Sequence, residues 1–356
     1  MLTLDDAVAL SAWHQGPRLR ILDLLRRVDS DLTLEAVIDG VTETPPGAGL
    51  PDQLRRRAAR ALATARRLGI DAVPWGGERY PVLLAPTTDA PLVLWMRGNP
   101  AVFDQPSVAI VGSRAATPYG LEAASRLAGD LATSGVLVVS GLARGVDSAA
   151  HRGALAAGGR TAAVLGSGVD VIYPPEHDGL CDAIAADGVV LSEWPPGTAP
   201  RPFHFPARNR IISGVSLAVV VVEAAEKSGS LITAGCALEQ GRAVLAVPGN
   251  ILSGRHRGCH ALIRDGAGVV ESADDVLAEL RTSCLRSGST PDGAAAAPTD
   301  PIAACMQPGE SYDVEALARE TGLPAPQLLS RLLGLELQGT VRRVDGGRFV
   351  RAGRTC

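Results

Sequence analysis

The sequence predicts an α/β fold. We expect an extended Rossmann-like, doubly wound and mostly parallel sheet, with a small helical N-terminal domain and a C-terminal winged-helix domain. Short apolar runs alternate with amphipathic segments between residues 82 and 280, whereas the segments on either side have mainly helical spacing. Strands that are almost wholly apolar are typical of a parallel sheet that helices cover on both faces.

Composition is that of an ordinary globular protein. The chain has 356 residues, 46% hydrophobic and 20% charged, with a net charge of −4. Its start carries Asp5 and Asp6 instead of a basic leader, and the apolar run 217–222 ends at Glu223. We therefore expect a cytoplasmic protein without membrane contact. The six cysteines form no Cys-x-x-Cys pair, and we interpret them as reduced thiols.

Residues 1–72 are predicted to form the helical domain. Apolar residues recur at helical spacing from Leu19 to Leu25 and from Ala58 to Leu68. The segment at residues 13–17, Trp-His-Gln-Gly-Pro, fits the turn of a helix-hairpin-helix, which often meets DNA backbones. It also fits a plain turn in a helical domain of the SAM-like kind, which we favour.

The region 80–282 is predicted to be the Rossmann-like domain. We expect its strands near residues 108–112, 136–140, 161–165, 188–192, 217–223 and 243–247. In such a sheet the loops that follow parallel strands meet at one edge, where these folds bind ligands.

The C-terminal part is predicted to be a linker, 284–300, and a winged helix, 301–356. The linker is rich in small residues and proline. Helical segments near 301–306, 313–321 and 325–338 precede a hairpin with an Asp345-Gly346-Gly347 turn. The third of these helices carries Arg331 as its only cation, so a protein-binding or structural role fits at least as well as DNA reading.

Three loops that follow predicted strands indicate an anion site at one sheet edge. Each offers glycine, serine or a cation where backbone N–H groups at a helix start attract phosphate. The predicted DNA-binding residues of these loops are Gly112, Ser113, Arg114, Ser140, Gly141, Arg144, Lys227, Ser228, Gly229 and Ser230.

The segment 205–210, Phe-Pro-Ala-Arg-Asn-Arg, joins an aromatic ring to two cations. Single strands are held by base stacking on aromatic rings and by cations that follow the backbone. The same arginines also suit a structural clamp to carboxylates such as Glu193 or Glu223, and both interpretations stay open. The predicted DNA-binding residues here are Phe205, Arg208, Asn209 and Arg210.

Two nucleotide-binding motifs are excluded or disfavoured by single residues. Lys227 is the only lysine, and Glu226 stands where a Walker A loop needs glycine. The run that begins at Gly166 has Val171 at the third glycine position of a dinucleotide fingerprint, so we expect neither NAD nor FAD.

Two histidine-containing groups receive structural interpretations. His256 and His260 flank a cysteine in one loop, but a tetrahedral metal site needs a fourth ligand, so no metal is predicted. Asp147 and His151 lie four residues apart, a spacing that suits acid–base chemistry or a structural pair, and we favour the structural pair.

Taken together, these motifs resemble those of the DNA-processing protein A family, also called DprA or Smf. The matching runs, in unbroken order, are 108–114, 140–147 with His151, Tyr173-Pro174, Ser192-Glu193, 205–212, 222–224 with 228–230, and 247–250. The resemblance implies a recombination mediator, without catalysis or cofactor, that binds single-stranded DNA, forms homodimers and loads RecA during natural transformation. It also implies that Arg114 contacts the DNA backbone, that Phe205 or its neighbours meet a base, and that Arg208, Arg210 and Lys227 line the groove.

Two other functions remain open at this stage. Rossmann-like nucleoside-monophosphate phosphoribohydrolases carry a Pro-Gly-Gly-x-Gly-Thr loop that opens a helix. The comparable loop here, residues 228–233, reads Ser-Gly-Ser-Leu-Ile-Thr and departs from that pattern. The crevice also suits a small nucleotide as a regulatory ligand.

Overall fold

The computed structural model describes residues 2–13, 18–27, 32–42, 49–286, 300, 302, 305–306, 310–337, 340–344 and 347–351. Most of the segment interpreted as a helix-hairpin-helix turn, most of the predicted linker 284–300, and residues 345–346 of the predicted hairpin turn lie outside the described residues.

Four helices form the N-terminal part. They are α1 Leu4–Ser11, α2 Arg18–Arg27, α3 Leu34–Val41 and α4 Leu50–Leu68. Thr3 and Thr33 cap α1 and α3, since each hydroxyl accepts a hydrogen bond from a first-turn N–H group. The buried apolar residues of these helices share one core with Trp95 at an end of the large sheet.

The large sheet has nine strands among the described residues. They are β1 Asp71–Pro74, β2 Val93–Gly98, β3 Ser107–Val111, β4 Leu137–Ser140, β5 Thr161–Val164, β6 Val189–Ser192, β7 Ala218–Val221, β8 Ala243–Ala246 and β9 Gly268–Val269. Their order is β1-β2-β6-β5-β4-β3-β7-β8-β9, and only the pairs β1–β2 and β2–β6 are antiparallel. The predicted extended, mostly parallel sheet is confirmed. The six predicted strands correspond to β3–β8, while β1, β2 and β9 were not predicted.

Helices cover both faces of this sheet. They are α5 Pro118–Thr133, α6 Val146–Ala156, α7 Asp178–Asp187, α8 His204–Gly214, α9 Ser230–Glu239, α10 Arg257–Arg264 and α11 Ala273–Arg286. Successive residues of β3 point into different cores, Val108 and Ile110 into one, Ala109 and Val111 into the other. This two-sided burial explains why the strand sequences have no polar face.

The C-terminal unit is a winged helix, as predicted. It contains β10 Ser311–Tyr312, α12 Val314–Thr321, α13 Ala325–Leu337, β11 Val341–Val344 and β12 Arg348–Arg351. The three strands form an antiparallel sheet in the order β10-β12-β11. Leu317, Leu328, Leu332 and Phe349 are buried in its own small core.

No helix in the described parts of the chain is both long enough and apolar enough to cross a membrane.

Candidate nucleic-acid interface

A cleft of about 730 Å³ lies at the carboxyl ends of β3 and β7. The strand order reverses between these two strands, because β4, β5 and β6 extend the sheet on one side of β3 and β7 to β9 extend it on the other. Ligands of doubly wound folds bind at such a switch point. The cleft brings together ten of the fourteen predicted residues: Gly112, Ser113, Arg114, Phe205, Arg208, Asn209, Lys227, Ser228, Gly229 and Ser230.

Glu223 holds the first loop of the cleft in place. Its backbone oxygen accepts a hydrogen bond from the Ser113 N–H at 2.7 Å. Its buried carboxylate accepts from the N–H and the hydroxyl of Thr117, at 3.1 and 2.6 Å, and Thr117 in turn caps α5. These hydrogen bonds hold the loop at both ends. The Arg114 side chain, at the tip of the loop, is exposed at the rim of the cleft.

Two aromatic rings and a cation form one side of the cleft. The Arg114 guanidinium carbon lies 5.2 Å from the ring centroid of Phe205. On the same ring, Tyr173 packs with a centroid distance of 5.5 Å and an interplanar angle of 45°. A cation over an aromatic face is an attractive pair, and both groups also interact with a nucleotide, the cation with phosphate and the ring with a base.

The third loop, residues 227–230, also lines the cleft. Lys227 is exposed there and forms no ion pair with any described residue. The hydroxyls of Ser228 and Ser230 lie 2.8 Å apart at the start of α9. The N–H groups of Leu231 and Ile232 donate to the backbone oxygens of Ser228 and Gly229, so it is the positive end of the α9 dipole that favours an anion here. The Asn209 side chain ties α8 to this loop, since its amide donates to the Gly229 oxygen at 3.3 Å.

Asp147 stabilises the loop between β4 and α6 through hydrogen bonds to its backbone. One carboxylate oxygen accepts from the N–H groups of Gly141 and Ala143, at 3.1 and 3.3 Å. This arrangement holds Leu142 buried at a positive φ of 56°. Burial raises the pKa of Asp147, while the nearby Arg208 charge and the two N–H groups act in the opposite direction.

Arg208 belongs to the floor of the cleft. It is buried, and its guanidinium donates to the backbone oxygens of Gly141, at 2.7 Å, and Val164. Burial lowers its pKa to about 10, although the Asp147 charge opposes this shift. Because these hydrogen bonds are internal, Arg208 stabilises the loop above it. Its guanidinium is poorly placed to bind a strand at the rim of the cleft.

Arg210 lies outside the cleft and clamps the fold. Its side chain is 11% exposed and forms ion pairs with Asp89, at 2.8 Å, and with Glu193. Of the two interpretations of the 205–210 segment, the structural clamp therefore describes Arg210.

Ser140 ends β4, Gly141 and Arg144 lie in the loop that follows it, and none of the three lines the cleft. Ser140 is fully buried and donates its hydroxyl to the Ile110 oxygen at 2.6 Å. Gly141 and Arg144 line a smaller cavity of about 30 Å³ next to Phe205. There the exposed Arg144 forms an ion pair with Glu176 at 2.5 Å.

The two histidine groups have different surroundings. His256 and His260 do not share a loop as expected, because α10 begins after His256 and includes His260, whose Nε2 lies 3.1 Å from the Gly249 oxygen. His151 is buried, and its Nδ1 lies 2.7 Å from the Thr161 hydroxyl oxygen, whereas Asp147 accepts from the loop above it. Burial lowers the pKa of His151 to about 3. Among the described residues, no cluster of three or more histidine, cysteine or acidic side chains is arranged to hold a metal.

Comparison with known proteins identifies the family. Residues 72–281 match the family model described as DNA recombination-mediator protein A. The chain belongs to the DNA recombination-mediator protein A family. Residues 289–347 also match the model of the DprA winged helix domain.

Two relatives of this family illustrate the similarity. The chain is 50% identical over 201 residues to the DNA processing protein DprA of Streptococcus pneumoniae, which covers 56% of this chain and 71% of that protein. The X-ray structure of the S. pneumoniae protein matches with a TM-score of 0.68 and 39% identity, over 78% of this chain and 99% of that one. A structure of DNA processing protein A from Helicobacter pylori, described for its single-stranded DNA binding mode, matches with a TM-score of 0.54 and 29% identity, over 60% of this chain and 96% of that one.

Several cleft residues of this family member were not predicted as contacts. Tyr173, Pro202, Ile232 and Thr233 also line the cleft. Thr233 follows Ser230 by three residues on a predicted helix, so helical spacing alone was sufficient to find it. Tyr173 comes from a loop after β5, and only the tertiary fold places its ring against Phe205.

Proposed function

We propose that this protein binds single-stranded DNA in the cleft and acts as a recombination mediator that loads RecA onto the strand. The observation that carries the proposal is the Arg114–Phe205 pair, which lines the same cleft as the exposed Lys227. Ring stacking plus cations along the backbone is how proteins hold single strands without reading their sequence. The likeness to the H. pylori protein supports the same ligand.

In this proposal the strand backbone follows the cations and the helix start. Arg114 and Lys227 contact phosphate oxygens near the positive end of the α9 dipole, and Phe205 stacks on a base. Because every base has an aromatic face, such contacts tolerate any sequence. The net charge of −4 gives no global attraction to DNA, so these local cations carry the electrostatic part of binding.

We propose no catalytic step. The acid in the cleft, Asp147, accepts hydrogen bonds from Gly141 and Ala143 and holds their loop. The histidine predicted to pair with it, His151, is buried beside Thr161. Incubation with nucleoside monophosphates tests the alternative phosphoribohydrolase function, and release of free base contradicts the proposal. A thermal shift induced by free nucleotides would instead support the regulatory-ligand alternative.

Further parts of the proposal concern assembly and organisation. We propose a cytoplasmic homodimer with the domain division 1–72, 80–282, 284–300 and 301–356. Sedimentation tests the dimer. Loading is tested by the lag time of RecA filament assembly on a single strand coated with a single-strand-binding protein, which the wild type should shorten.

A salt titration of oligonucleotide binding tests the cleft. Each lost phosphate contact flattens the log–log salt dependence for single strands by about 0.7. We expect Arg114→Ala and Lys227→Ala each to weaken binding and to flatten the slope by this amount. Arg67→Ala, which removes an exposed arginine at the end of α4, is the matched control and should retain the wild-type slope. Equal slopes for all four proteins would place the strand elsewhere.

A further inference from the structure

We infer that the winged-helix unit carries a second DNA site on its wing, which takes the phosphate backbone of duplex DNA. The wing is the hairpin of β11 and β12, Val341–Val344 and Arg348–Arg351. This inference goes beyond the proposed function, because it concerns another surface and another form of DNA.

The helix that commonly reads DNA in this fold is already covered. In helix-turn-helix proteins the second helix of the motif enters the major groove. Here one side of α13 packs into the winged-helix core through Leu328, Leu332 and Leu335. Another side packs against the Rossmann-like domain, because Leu333 is buried in a core shared with α5 and α11.

Further contacts hold α13 against that domain. The Ser330 hydroxyl donates to the Gly135 oxygen at 3.4 Å, and Glu336 forms an ion pair with Arg281 at 3.7 Å. The exposed strip that remains is formed by Ala325, Pro326, Gln327 and Arg331. A single cation on that strip gives α13 little attraction to phosphate.

The wing shows the opposite pattern, since its exposed face is cationic. The register pairs Arg342 with Val350 and Val344 with Arg348, which places these four side chains on one face of the hairpin. Arg342 and Arg348 are exposed diagonal neighbours there. Two like charges so close together repel each other unless an anion lies between them or beside them.

A third arginine borders this face. Arg343 lies 5.9 Å from the ring centroid of Phe349 on the inner face and is also exposed. None of the three arginines forms an ion pair with another described residue. The sequence of the hairpin, residues 341–351, contains four arginines and a single acid, Asp345.

The chemistry of the outer face favours duplex over single-stranded DNA. A single-strand site needs rings for base stacking. Here the aromatic ring of the hairpin, Phe349, is buried at 4% exposure, and the outer face offers only arginine and valine. A two-stranded ribbon with cations fits the grooves and paired backbones of B-DNA, whose phosphate charge is denser than that of a single strand.

Duplex binding by the full-length chain over a range of salt concentrations tests the wing. Each phosphate contact contributes about 0.9 to the salt slope on B-DNA, so Arg342→Ala/Arg348→Ala should flatten the slope by about 1.8. The ratio of wild-type to variant affinity should therefore fall about 12-fold between 50 and 200 mM salt. Single-strand affinity of the variant should stay within about twofold of the wild type, since the cleft is intact.

Two further variants keep the test decisive. Arg319→Ala/Arg331→Ala removes the same charge from exposed positions on α12 and α13 and should keep the wild-type duplex slope. Arg342→Lys/Arg348→Lys keeps the charge and should restore the slope, which separates lost contacts from a misfolded hairpin. The inference is overturned if the wild type does not bind duplex, or if the wing variant and the control variant behave alike.

An unchanged duplex slope would instead favour an acidic protein as the partner of the wing. Failure of the wing variant to change duplex binding leaves the cleft proposal intact, because that proposal is measured on single strands with Arg114 and Lys227.

Discussion

Arg114 and Phe205 form a cation–π pair between two segments that are far apart in sequence, with 5.2 Å between the guanidinium carbon and the ring centroid. Arg114 lies in the loop after β3, and Phe205 lies in the first turn of α8. The pair orients the cation before any ligand arrives, so less side-chain freedom is lost on binding. A strand that reaches the ring therefore also reaches the guanidinium, which lies over it.

Replacing Phe205 by alanine should weaken single-strand binding about 5- to 150-fold, because stacking on an aromatic side chain contributes ~1–3 kcal/mol per base. Phe205→Trp should keep most of the affinity, since it retains a ring for the base and for Arg114. Fluorescence anisotropy with a labelled oligonucleotide measures both variants.

Phe203 supplies the matched control for this prediction. It is 60% exposed, two residues away, and its ring packs edge-on against His204 instead of lining the cleft. Phe203→Ala should bind nearly as the wild type does. An equal loss from Phe203→Ala and Phe205→Ala would contradict the assignment of the stacking ring.

Arg208→Met should lower the free energy of unfolding by at least about 2 kcal/mol. The substitution leaves the buried oxygens of Gly141 and Val164 without their donor, and each unsatisfied group costs about 1–3 kcal/mol. Arg114→Met removes an exposed guanidinium and should change stability by no more than about 0.5 kcal/mol. Urea denaturation separates the two variants, and equal stability losses would refute the structural role of Arg208.

These two arginines illustrate how much of the site the sequence could predict. Arg114 and Arg208 both lie in motifs with glycine, asparagine or aromatic neighbours. From the sequence alone, both arginines are therefore predicted to bind phosphate. The difference comes from the fold, which places Arg208 on the inner face of α8 and Arg114 on an exposed loop tip. Arg210 was likewise predicted to line the groove by resemblance, yet its partner Asp89 lies in a remote loop whose position no local pattern reveals.

The fold itself was more predictable at its centre than at its edges. The strands β3–β8 were found because helices bury them on both faces and their sequences are therefore almost wholly apolar. At the edges, β9 has two exposed residues, and β1 and β2 pair antiparallel. Both β9 and β1 lack the continuous apolar run that marks a central parallel strand, whereas β2 has such a run at residues 92–96 and was missed although its sequence shows it.

His151 should make the protein lose stability as the pH falls below about 6.5. Burial lowers its pKa to about 3 in the folded chain, whereas the imidazole has an ordinary value of 6.5 in the unfolded chain. Between these values the unfolded chain binds the proton more readily, so acid favours unfolding. The contribution is complete above about pH 6.5 and decreases towards pH 3.

His151→Asn isolates this effect, since its amide can still donate to Thr161. The variant should be less stable at neutral pH but should show a shallower loss of unfolding free energy between pH 6.5 and 4. Comparison with the wild type also removes the contribution of Asp147, whose raised pKa acts in the opposite direction. Parallel pH curves for the two proteins would show that another group titrates.

Gly135→Ala should separate the winged helix from the Rossmann-like domain. A Cβ at this position would lie 2.4 Å from the Ser330 Cα, and a backbone atom cannot move aside by changing rotamer. Gly158→Ala is the matched control: its φ of +72° is close to the +80° of Gly135, but a Cβ there meets nothing within 4 Å. Both variants carry about 1–2 kcal/mol of left-handed backbone strain, so only the contact with Ser330 distinguishes them. Small-angle X-ray scattering should therefore give a larger radius of gyration for Gly135→Ala alone, and identical scattering from the two variants would mean that the α13 contact does not hold the domains together.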